Sequence, residues 1–532
     1  MPTSHRRLAR FAALPLFFSI LLLLSCGGNS SVTPPPPSGP FSNASLTGQY
    51  AFSISGQDTT SGGFTGIIGS ISADGNGHIT AGIADVLDLS VNPPASVISY
   101  SGGTYEIQSN GRGVMTLNVT GGGSLQLSLS LQSNQQGILV ETDGAATRNG
   151  TLNQQTPAAF SPNSIKGNYV FDFAGVSFAG NSPSIISTIG QFTADGNGNL
   201  TGGTIDVNDG AFTPSGAIAL TPGAYALDTN GNGTNYGRGM VTINDKTYAF
   251  YIVDNTRIKL LEEDSAGGAE GDAMLQSGAI PAKNSDLNGG FVFLTSGSVT
   301  AGTVGPISRL GRMSTDGSGN VSKVAFDQND NGNNTHISEG SNLSAATYSM
   351  DTTNAGSGRG TFTFQNSSVG TVSYVFYFYS PTQAVIQDVT PKIVGDGTMM
   401  TQIAGPFTTS TVSGNFVFNW NGLQLINPSA YVEHFVGQAT QSSTANNNLS
   451  GTADFIEIGL TSSNGINLNA GISGTLTING DGTQDNPFKI AVGGTSPFTI
   501  NFKAYIADGS HIFVNCYDSD RTTSGFQVMQ TQ

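Results

Sequence analysis

Charge and cysteine are both scarce in this sequence. Only 10% of the 532 residues are charged, and there are two cysteines, Cys26 and Cys516. Two cysteines this far apart cannot build a disulfide framework, and Cys516 reads as a small buried hydrophobe. There is one tryptophan, Trp420, and no helical periodicity of any length. Lys and Arg are few, and the net charge is −16. Such a surface repels nucleic acid, and no basic patch offsets it. Histidines are scattered beyond the N-terminus as His78, His336, His434 and His511, without metal-ligand spacing. There is no Gly-x-Ser-x-Gly elbow, His-Glu-x-x-His helix or phosphate loop. These absences predict a protein that is not an enzyme and uses no cofactor or metal.

Glycine is plentiful, at 72 residues, and 30 Phe with 15 Tyr supply core material. Glycine without a collagen period implies many tight turns, hence many short strands. A chain this long exceeds one core and suits several domains.

The N-terminus carries Arg6, Arg7 and Arg10, then an apolar run from Phe11 to Leu24 that is short for a bilayer span and right for a signal peptide. It ends Leu23-Leu24-Ser25-Cys26-Gly27, which resembles the lipobox of bacterial lipoproteins. The resemblance implies cleavage after residue 25 and acylation (diacylglycerol, palmitate) of Cys26. It also implies a lipid-anchored place in the cell envelope, at the outer membrane of a diderm host because Asp does not follow the cysteine. Removing the three arginines takes the mature chain to −19. Residues 26–40, with Pro34 to Pro37, read as an extended tether.

The rest is a fourfold repeat. Its opening strand recurs as Leu46-Thr47-Gly48-Gln49-Tyr50-Ala51-Phe52, Ile165 to Phe171, Leu287 to Phe293 and Val412 to Phe418. Alternating aromatics mark one face turned to a core. Ala73-Asp74-Gly75-Asn76-Gly77 recurs at 194–198 and, as Thr315-Asp316-Gly317-Ser318-Gly319, in copy three. These are hairpin tips, and the fourth copy degenerates to Asn446-Asn447-Asn448. The expected domains are 41–155, 160–277, 284–403 and 409–532. Each is expected to be an antiparallel all-β unit of about eight strands, either an up-and-down barrel or an immunoglobulin-like β-sandwich. The first hairpins resemble those of avidin- and lipocalin-type barrels, with Tyr or Phe where that family has Trp. The likeness implies the fold and not a biotin site.

Three residues invite a functional reading. Arg112, Arg238 and Arg359 recur in an Arg-Gly pair at a strand entry, with Ser473 in the fourth copy. A structural role is expected, each guanidinium stacking on a strand-one aromatic of its own copy. Trp420 would then fill the arginine's place in copy four. Asp228-x-Asn230-x-Asn232 and Asp327-x-Asn329-x-Asn331 match half of a calcium loop but lack its twelfth-position carboxylate. The late acids Glu141, Asp143, Glu262, Glu263 and Asp264 read as solvated strand-edge residues. The expected function is a non-enzymatic binding or adhesion module, its tandem copies adding reach and avidity toward a glycan, protein or small molecule. Two alternatives are a small apolar ligand inside a barrel and a purely structural envelope spacer. An open apolar mouth would favour the ligand.

Overall fold

The computed structural model describes residues 40–531, apart from the short segments 179–182, 211–213, 265–266, 341–342, 409, 427–428, 444–447, 460–462 and 495–496. The signal peptide, Cys26 and the tether lie outside the described residues, as do Asn446 and Asn447 of the fourth hairpin tip. No helix among the described residues is long and apolar enough to cross a membrane.

The architecture is all-β, in four antiparallel sheets that follow the four sequence copies. Copy one is a closed eight-stranded barrel. Its first strand, Thr47–Gln57, pairs with its last, Asn149–Gln154, in the register Tyr50 to Gln154 and Ser55 to Asn149. Alternation decides which side chains go where: Tyr50, Phe52 and Ile54 point into the core, Ser53 and Ser55 outward. The Asp-Gly-Asn-Gly tips close as the sequence reading expects. Asp74 accepts hydrogen bonds from the backbone N–H of Asn76 and His78, and Gly75 and Gly77 adopt φ of +79° and +99°.

Copy two is also closed, from Lys166–Ser177 to Gly267–Leu275. Its fourth strand differs: where copy one runs unbroken over Ala95–Ile107, copy two is split into Ser215–Ala219 and Gly223–Leu227. Pro222 stands at the break, where it can neither donate to a ladder nor take a free φ. In copy three the same strand splits into Asn333–Ile337 and Ala345–Met350. That copy remains an open nine-stranded sheet, a half-barrel called barrel three below, and a single bridge, Asn320 to Thr347, joins its edges among the described residues. Copy four closes from Gly414–Ile426 to Arg521–Met529. Trp420 sits fully buried in its core, stacked on Phe418 at 4.2 Å. A sequential meander whose first strand meets its last is a barrel, which removes the sandwich alternative.

The four units do not hang in a line. Each sets the end of its last strand on the next barrel with a glutamine whose amide donates to two backbone carbonyls. Gln155 reaches Tyr236 and Ile252, Gln276 reaches Ser357 and Phe378, and Gln402 reaches Asp481 and Ile506. Gln530 then reaches back to Asn110 and Leu131 of barrel one. The contacts therefore close into a ring, a head-to-tail interface repeated until it meets itself. Outward-facing apolar side chains fill the joints. Ala51, Ile68 and Leu87 meet Val176, Tyr251 and Leu261 between barrels one and two, and Val170 and Ile189 meet Tyr377 and Val385 between two and three. Ile138, Val140, Val292 and Leu310 pack with Val436, Ile456 and Phe513 around barrel four. Reach through a string of separate domains is thereby replaced by one continuous body.

The ring closes between barrels four and one, and His434 lies in that joint. Its Nε2–H donates to the Thr147 carbonyl at 2.8 Å, and Nδ1 faces Asn149 and Asn421. Burial pushes its pKa down to about 4 from the usual 6.5. Between those values the unfolded chain binds a proton that the folded one refuses. The ring is thus fully stable with respect to this group above about pH 6.5, and the contribution is lost as pH falls toward 4. Across that window the loss is about 3 kcal/mol. Urea titrations of wild type and His434→Asn at pH 7, 5.5 and 4 measure it. The variant should lose less stability on acidification, and identical pH slopes would refute the assignment.

Candidate functional site

The repeated arginines do not stack on strand one of their own barrels. The Arg-Gly pair explains why. In Arg238–Ile243 the inward positions are Gly239, Val241 and Ile243, so Arg238 faces outward. A side chain at Gly239 would run into the Phe250 ring, and one at Gly360 into Phe376. Glycine is the residue that admits the core, and arginine is turned to the neighbour. Arg238 grips Asp85 of barrel one with Nε at 2.8 Å and Nη2 at 2.5 Å, and Tyr251 donates to the same carboxylate at 2.7 Å. Arg359 and Tyr377 repeat this on Asp206 of barrel two, at 2.7–2.8 Å for the guanidinium. Arg112 pairs with Asp454 of barrel four. At the remaining joint Asp327 of barrel three takes Tyr505 at 2.6 Å, with Lys503 Nζ at 3.8 Å. Lys503 and Tyr505 thus stand in for the arginine that copy four lacks, and Trp420 occupies a different, inward place.

The calcium-like stretches are engaged by protein groups. Asp228 pairs with Arg238, and Asp327 also accepts from His336. Among the described residues no group of three or more His, Cys, Asp or Glu could hold a metal ion. Cys516 is a free, fully buried thiol, whose pKa burial pushes well up.

Three of the late acids are not solvated, and one of them, Glu263, faces the buried Asp85 in the joint with barrel one, where burial raises it to about 8. Glu141 and Glu262 are both fully buried, and burial raises each to about 7. The same parity that places Leu139 and Leu260 in the cores points these carboxylates into one end of their barrels. In barrel one Arg148 lies across that end, donating to Glu141 with Nε at 2.5 Å and Nη2 at 2.9 Å and to Thr65 at 3.0 Å. In barrel three Arg309 spans it, bonding Asp388 at 2.5 Å and Gln328 at 2.9 Å. In barrel four Arg521 reaches Glu433 at 3.1 Å beneath the Phe498 ring. Three barrels are plugged by arginine.

Barrel two is not. Strand registers place Thr188 where barrel three has Arg309, Ala269 where barrel one has Arg148, and Gly267 where barrel four has Arg521. The result is a calyx of about 300 Å³. Its floor is a stack of rings, Phe171 on Phe173 at 4.7 Å and Phe173 on Tyr248 at 4.9 Å. Ile186, Ile205, Val207 and Ile243 wall it, and Ser215, Asn244, Asp209 and Lys246 rim it. Ser215, the first residue of the split fourth strand, lines it together with Asn244. A wider groove of about 740 Å³, between barrels two and three, adjoins it at Ser215. Arg359 lines that groove, already held by Asp206.

The sequence reading missed this site because its signal is a set of small residues, Thr188, Ala269 and Gly267, whose meaning appears only when inward positions are aligned copy by copy.

No family model matches the chain, and no curated protein matches it. Among solved structures it is similar to transferrin binding protein B, a vaccine antigen, from Haemophilus parasuis Hp5. A single-residue mutant of that protein is 10% identical with a TM-score of 0.21, over 75% of this chain and 83% of that one. It is also similar to isotype 1 transferrin binding protein B of serogroup B Neisseria meningitidis, at 10% identity and a TM-score of 0.21, over 72% and 79%.

Proposed function

We propose that this is a lipid-anchored, non-enzymatic binding protein of the cell envelope, in which the segments 41–155, 160–277, 284–403 and 409–532 form one ring and the second barrel takes a small, largely apolar ligand. The observation that carries the reading is the calyx: one barrel keeps an aromatic-floored cavity where three others place an arginine. A volume of about 300 Å³ is at the lower end for small-molecule sites and suits a compact ligand. Convergent apolar walls with a few polar groups at the mouth are the composition such sites have.

The test installs the missing plug. Thr188→Arg puts in barrel two the residue that fills barrel three. It is expected to weaken binding of an apolar fluorescent probe by roughly a hundredfold, on the order of one well-packed ligand contact set, while the ring stays intact by size-exclusion chromatography. Equal probe affinity in wild type and variant would reject the calyx as the site.

The anchor is tested separately. Cys26→Ala is expected to leave the protein exported but released from membranes, without incorporated fatty acid. Labelling with radioactive palmitate followed by fractionation reads both, and equal labelling of mutant and wild type would reject acylation at Cys26.

A further inference from the structure

We infer that the ligand of the second barrel is a small apolar acid, its ring or branched body in the calyx and its carboxylate at the mouth against Lys246. This rests on the calyx reading above and adds the chemistry of the ligand's polar end.

The cations at the ends of the four barrels differ in how firmly they are held. Arg148 gives two hydrogen bonds to Glu141 and a third to Thr65. Arg309 holds Asp388, Gln328 and Thr390. Both side chains are nearly or fully buried, and a guanidinium fixed by three hydrogen bonds is not available to a ligand. Among the described residues the Lys246 ammonium makes a single bond, 2.7 Å to Glu262 Oε1, and its side chain is 31% exposed while lining the cavity. An ammonium is a point charge on a flexible stem and can turn from one carboxylate to another.

Glu262 makes that exchange feasible. Its second oxygen, Oε2, has no hydrogen-bond partner among the described residues, and the side chain is fully buried beside Tyr248, its register partner. The groups that face it are Lys246, Tyr248 and Asp264, and Asp209 lines the same cavity. Burial raises its pKa to about 7, with Lys246 opposing the rise. When a ligand carboxylate takes Lys246, that opposition is lost and Glu262 binds a proton from solvent. The ligand brings one negative charge and Glu262 gives one up, so the dry end of the barrel keeps its charge balance.

Asp209 does not argue equally for an amine. Its carboxylate already accepts the Ser184 hydroxyl at 2.5 Å from the neighbouring strand and is nearly buried.

The experiment compares three probes of one shape on the intact chain at pH 7: naphthalene-2-carboxylate, naphthalene-2-methanol and naphthalene-2-methylammonium, each titrated calorimetrically. The carboxylate is expected to bind roughly tenfold to a hundredfold more tightly than the alcohol, the worth of a hydrogen bond to a charged group. Lys246→Met should erase that preference while the alcohol still binds. Repeating the carboxylate titration in buffers of different ionisation enthalpy should show uptake of up to about half a proton per ligand. If the alcohol or the amine binds as well as the acid, or no proton is taken up, the acid assignment is overturned and the calyx reading stands. If none of the three binds, the calyx reading falls and this inference with it.

Discussion

Arg238→Ala is expected to destabilise the folded protein by about 3–5 kcal/mol, the cost of leaving a buried carboxylate without its cation. Asp85 is fully buried in the face that barrel one turns to barrel two, where Arg238 and Tyr251 donate to it and the Glu263 carboxyl faces it. Removing the guanidinium also strands Asp228, which it pairs at the same time. The double variant Arg238→Met, Asp85→Leu should recover much of the loss, because the joint around it is already apolar with Phe64, Ile83 and Leu87. Chemical denaturation of the three variants measures this. A loss under about 1 kcal/mol for the single change, the range of exposed ion pairs, would show that the clasp is solvated and the interface open. The same substitution should not alter probe binding in the calyx, because Arg238 faces away from the barrel interior.

Ending the chain at Gln402, which deletes barrel four, is expected to have the largest effect of all. Barrel four covers Val140 of barrel one and Val292 and Leu310 of barrel three, all fully buried in the intact protein. Exposing such side chains costs about 1.5–3 kcal/mol each. The staple from Gln530 to Asn110 and Leu131 goes with it. An exposed apolar patch flanked by an open joint favours self-association, so the truncated chain should run as oligomers by light scattering and bind an apolar dye. Barrel four supplied as a separate chain should restore a one-to-one complex. A monomeric, dye-silent truncation with unchanged melting temperature would mean that the four barrels are independent.

Both outcomes follow from a division of labour along each strand. Inward residues make four similar cores, and outward residues of the same strands make the joints. Because alternation has a period of two, one strand serves both at once. Tyr251 lies on the outer face beside Asp85 while Phe250 and Ile252 fill the inner one.

Much of the fold was legible before any coordinates. Alternating aromatics after Gly48, Gly167, Gly289 and Gly414, with Asp-Gly and Asn-Gly tips between runs, dictate hairpins whose inner faces carry Phe and Tyr. Those are local rules, and local rules suffice for a meander of paired neighbours. Arg112, Arg238 and Arg359 were legible as structural candidates but not in their contacts. An arginine's partner on another domain, such as Asp85 for Arg238 at 153 positions' separation, leaves no periodic trace. Tertiary structure alone decided that the four barrels close into a ring, because closure depends on angles summed over four joints. It alone decided that Glu141 and Glu262 are buried, because an acid at a strand end is solvated or enclosed according to what lies across the barrel. The calyx is the same case. Thr188, Ala269 and Gly267 are unremarkable residues on two strands, and only closure of the barrel brings together at one end the positions that the other barrels fill with arginine.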